Sequence, residues 1–93
     1  MERIWLKSYP KEVPAEIDWK QFRSLGELFD TCVKKFAAKP AYFCMGRTIS
    51  YAELDAMSRN VGAWLQHKGL AKGAKVSVML PNVLQYPIFM FGA

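Results

Sequence analysis

Histidine occurs once and cysteine twice in these 93 residues, and that scarcity removes most nucleophilic and metal-centred chemistry from consideration. Cys32 and Cys44 form no Cys-x-x-Cys pair, and no second pair exists to complete a zinc site. They are expected to be structural, reduced thiols of a cytosolic protein. The opening stretch MERIWLKSYPKEV lacks an apolar core of about 7 to 15 residues, so no secretory leader is predicted. Nothing approaches the roughly 20 consecutive apolar residues of a spanning helix. Acidic residues are outnumbered, 8 against 13 basic, for a net charge of +5. The basic residues are scattered from Arg3 to Lys75 with no run longer than Lys34-Lys35. The concentrated stripe that tracks phosphates is therefore missing, and no nucleic-acid partner is predicted. A weak contact with an anionic membrane surface fits better, at about 1 kcal/mol per well-placed basic residue.

What is present is globular: 52% of residues are hydrophobic and 23% charged. The length allows at most one domain, burying about 60 to 65% of the unfolded surface. Residues 1–23 read as an irregular arm. Pro10 and Pro14 stop a helix from running through it, and Ile4, Trp5, Leu6, Tyr9, Ile17, Trp19 and Phe22 follow no period. Ser24, with Glu27 three residues on, predicts a capping box. Leu25, Leu28, Phe29, Cys32, Val33 and Phe36 then form one helical stripe that ends before Pro40. Asp30 and Lys34 stand in the favourable i, i+4 order on the opposite side. Residues 41–45 and 48–51 flank Gly46-Arg47 as a hairpin with a tight turn.

The best-formed stretch is 48–82. Ser50 and Glu53 predict a second capping box, and Leu54, Met57, Val61, Trp64 and Leu65 share a face. Gly69 closes a helix of roughly 16 to 18 residues. Val76-Ser77-Val78-Met79-Leu80 is short and β-prone, as suits a strand covered on both faces of a parallel sheet. Asn82 is expected to cap a final helix, kinked near residues 83–87 by Pro87. The fold class is therefore α/β, built as hairpin, helix, parallel strand and helix, and incomplete by itself. The buried-type strand and the apolar run Ile88 to Phe91 both ask for partners, so a segment of a longer protein that self-associates when alone is expected.

No residue emerges as catalytic, cofactor-binding or metal-binding. His67 stands in the last turn of its helix without an acidic or nucleophilic partner in view, where it faces the helix dipole. Glu53 and Asp55 lie two apart and cannot face each other. The run Gly69 to Lys75 has three residues between its glycines where a phosphate loop has four. It also leads into Val76 where such a loop has Ser or Thr opening a helix.

Several motifs nonetheless carry a resemblance. Ile4-Trp5-Leu6-Lys7-Ser8-Tyr9-Pro10 with Val13-Pro14-Ala15-Glu16-Ile17-Asp18, then Ile49-Ser50-Tyr51-Ala52-Glu53-Leu54, then Lys72-Gly73-Ala74-Lys75-Val76 with Met79-Leu80-Pro81-Asn82, and finally Gln85-Tyr86-Pro87-Ile88 follow one another in order. Together they resemble the N-terminal portion of bacterial long-chain fatty-acid–CoA ligases, of the adenylate-forming superfamily. Ala74 departs from the Asp common there. The resemblance implies that residues 24–93 begin the large AMP-binding domain. It implies ATP, Mg²⁺ and coenzyme A as cofactors of the full-length enzyme, a fatty acid as substrate, and the remainder of the ligase chain as partner. It also implies a cytoplasmic enzyme, peripheral at the inner face of the cell membrane. The phosphate loop, ribose-binding Asp and catalytic Lys of such enzymes have no counterpart here, so the 93 residues alone are expected to be inactive. Two other readings remain at this stage: a ligase for medium-chain or aryl acids, and a free-standing non-catalytic module that binds a membrane or protein partner.

Overall fold

The computed structural model describes residues 2–93; the first residue of the predicted arm lies outside them. A short 3-10 helix (Ile4–Ser8) is followed by α1 (Leu25–Phe36), strands β1 (Pro40–Cys44) and β2 (Arg47–Ser50), α2 (Tyr51–His67) and α3 (Gln85–Gly92). It is a small α/β piece: one two-stranded antiparallel sheet with three α-helices around it.

Both predicted caps form. Ser24 Oγ accepts from the Glu27 N–H at 3.1 Å, while the Glu27 carboxylate reaches one residue further back than a capping box does and accepts from the Arg23 N–H at 2.8 Å. At α2 the box is complete: Ser50 Oγ accepts from the Glu53 N–H (3.2 Å) and Glu53 Oε2 accepts from the Ser50 N–H (2.9 Å). The end of α2 is equally well specified. Gly69 takes φ 87°, the Gly69 N–H donates to Gln66 O (2.9 Å), and the Leu70 N–H donates to Leu65 O (3.2 Å). That pair of bonds is a Schellman motif, which needs a residue free to adopt positive φ.

The hairpin turn differs from expectation by one residue. Met45 and Gly46 are the two turn residues, at φ 52° and 80°, and Arg47 already pairs with Cys44. Positive φ at both positions is the type I′ geometry that matches strand twist. The predicted strand at 76–80 is not part of any sheet, because no neighbouring strand lies beside it. The final helix starts later than predicted, at Gln85 after Leu84, and Asn82 does not cap it. Pro87 consequently falls in the first turn, where its missing N–H had no helical partner, and a kink has no cause.

Packing centres on α2. Ile49 and Leu54, at the hairpin–α2 junction, are the fully buried side chains, each 1% exposed. α3 crosses α2 where Gly62 meets Gly92, and Phe91 stacks on Phe29 of α1 with ring centroids 4.2 Å apart. Much apolar surface is left over. Leu25 of the α1 stripe and Trp64 of the predicted α2 face are exposed, and the arm touches the helices little. The arm is held by its own contacts, such as Arg3 with Glu16 at 2.9 Å. The accessible surface is 8213 Å², where a closed monomer of this mass exposes about 5,500 Å². The radius of gyration, 17.2 Å, likewise exceeds the roughly 12 Å of a compact chain of this length.

Candidate functional site

The N-terminus of α2 is the natural place to look for an anion site, since unpaired N–H groups and the helix dipole attract phosphate there. Here those donors are taken. The Tyr51 N–H donates to Lys39 O and the Ala52 N–H to Ala37 O, both at 3.0 Å, and the Glu53 N–H is held by Ser50. The carboxylate of Glu53 is spent on the Ser50 backbone. This corner locks the end of α1 and the hairpin onto α2, and it offers nothing to a phosphate.

Asp55, which sequence spacing separates from Glu53, pairs instead with Arg59, whose Nε lies 3.0 Å from both carboxylate oxygens. Arg59 Nη2 also reaches Asp30 of α1 at 3.4 Å. Asp30 thus points across to α2 and not along α1 toward Lys34, as i, i+4 spacing suggested. The hydrogen bond and charge of Asp55, then the charge of Asp30, hold the Arg59 guanidinium above its ordinary value. A raised cation pKa stabilises the folded chain below the unfolded value, so this tie is fully present throughout the neutral range. The helix-to-helix tie was not legible from spacing along a single helix.

The Gly69–Lys75 run reverses the chain. Gly73, at φ 91°, is the third residue of a turn closed by the Ala74 N–H on Ala71 O at 3.0 Å. No helix follows to direct amides at a phosphate. Cys32 and Cys44 are free thiols, and the Cys44 Sγ–H donates to Asn82 O at 3.7 Å, fastening the hairpin to the turn before α3. His67 ends α2 as expected. Among the described residues, no group of three His, Cys, Asp or Glu side chains is placed to hold a metal.

Two larger grooves and a third of about 390 Å³ flank the hairpin. One, of about 480 Å³, runs between β1–β2 and the start of α3, past Cys44, Ile49, Met57, Leu84 and Ile88. The other, of about 460 Å³, lies between α1, β1 and α3, past Leu28, Phe29, Tyr42, Met90 and Phe91. Both are open and apolar, and neither brings an acid, base and nucleophile together.

Caps, helix-to-helix ties and open apolar grooves thus make up this part of the chain. The profile of the family described as AMP-binding enzyme matches residues 29–93, and the chain belongs to that family. Within it, the chain is 46% identical over 93 residues to a long-chain-fatty-acid–CoA ligase of Yersinia pestis, covering 99% of this chain and 16% of that one. It is 30% identical over 91 residues to the ligase of the same description from Bacillus subtilis, covering 98% and 16%. A syringomycin synthase of Pseudomonas syringae pv. syringae is 32% identical over 68 residues, covering 73% and 11%. The chain spans about a sixth of the length of the curated ligases it matches. No solved structure matches. Among the described residues, no helix is long and apolar enough to cross a membrane.

Proposed function

We propose that this chain is the opening part of the adenylation domain of an AMP-forming long-chain fatty-acid–CoA ligase, with residues 1–23 as its arm and 24–93 as the start of the domain. The observation that carries the reading is the extent of the likeness. The family profile begins at residue 29, yet the alignment with the fatty-acid ligases runs over 93 residues and takes in the arm. That favours a long-chain fatty-acid ligase over a general member of the family, and it leaves the free-standing module without support.

In the whole enzyme, a fatty carboxylate attacks the α-phosphate of ATP to give an acyl-adenylate and pyrophosphate, and the thiol of coenzyme A then displaces AMP. Such chemistry needs phosphate charge neutralised and the reactants held in line. The residues here supply neither. Their part is to brace the wall behind the site: the Ser50–Glu53 box fixes where α2 starts, and the apolar grooves receive the remainder of the ligase. The enzyme works in the cytoplasm, and the exposed Trp5 and Trp19, the latter with Lys20 5.0 Å from its ring centre, suit a contact with the inner membrane surface.

The 93-residue chain, purified alone, is expected to give no ATP–pyrophosphate exchange with palmitate above a protein-free blank. Clear exchange would show that the catalytic groups lie within these residues and would overturn the assignment of a scaffold role.

A further inference from the structure

We draw no further inference here: the strongest candidate, the open apolar groove of about 480 Å³ between the β1–β2 hairpin and the start of α3, past Cys44 and Met57, is an unpartnered face, and nothing in the structure shows what covers it.

Discussion

Replacing Leu54 by alanine is expected to abolish cooperative unfolding of this chain. Leu54 is 1% exposed and sits where α2, the hairpin and the α1–α3 stack converge. Truncating such a side chain costs about 3 kcal/mol in lost transfer energy and residual cavity. A well-closed domain has about 5 to 15 kcal/mol in hand and survives that. Here Ile49 and Leu54 are the fully buried side chains, and so much apolar surface is uncovered that the margin lies at or below the low end. Urea titration followed by circular dichroism at 222 nm should show a clear transition in the wild type and a sloping, midpoint-free curve in L54A. L25A provides the contrast. That residue belongs to the apolar stripe of α1 by sequence but is 80% exposed, so its removal should cost less than about 0.5 kcal/mol. Equal losses in the two variants would contradict the burial of Leu54 and the exposure of Leu25.

The second large effect lies at the crossing of α2 and α3. A Cβ at Gly92 would stand 2.7 Å from the Ser58 carbonyl oxygen and 2.7 Å from Val61 Cβ. The first of these is backbone inside a helix and cannot swing aside, so Gly92→Ala must push α3 off α2 and part the Phe29–Phe91 stack. Overpacking of this kind costs about 2 kcal/mol. Amide exchange in residues 85–92 should accelerate by about thirtyfold as α3 opens. Gly62→Ala meets the Gly92 oxygen at 3.1 Å, a contact that a shift of a few tenths of an ångström relieves, so its effect should be distinctly smaller. Protection of α3 that is the same in G92A as in the wild type would show that the two helices are not held this close.

The contrast between Leu25 and Leu54 also shows what a sequence of this kind can disclose. Helix caps are local: Ser24, Ser50, Glu53 and Gly69 act on backbone groups a few residues away, and all four are where spacing puts them. Period 3.6 likewise marks which side of α1 is apolar. It does not say whether anything covers that side, and Leu25 lies open because no element reaches it. Val76–Leu80 has strand chemistry, but a strand exists only where a second one pairs with it, and pairing is not a local property. The turn falls at Met45-Gly46 although Met is a poor occupant of positive φ, and the pairing of Cys44 with Arg47 leaves those two residues to make it. Asp30 and Arg59, 29 positions apart, meet through the packing of α1 on α2. Ser50, Glu53 and Asp55 are all engaged in holding helices.

The central claim, that these residues are ligase scaffold, is tested most directly by transplantation. Residues 1–93 would replace the aligned stretch of the Yersinia pestis long-chain-fatty-acid–CoA ligase, with palmitoyl-CoA formation as the readout. If the chain braces a long-chain ligase, kcat/KM of the hybrid should stay within about tenfold of the parent, a loss of no more than 1.4 kcal/mol in transition-state stabilisation. A hybrid that is soluble and cooperatively folded, yet forms no palmitoyl-CoA, would contradict the account.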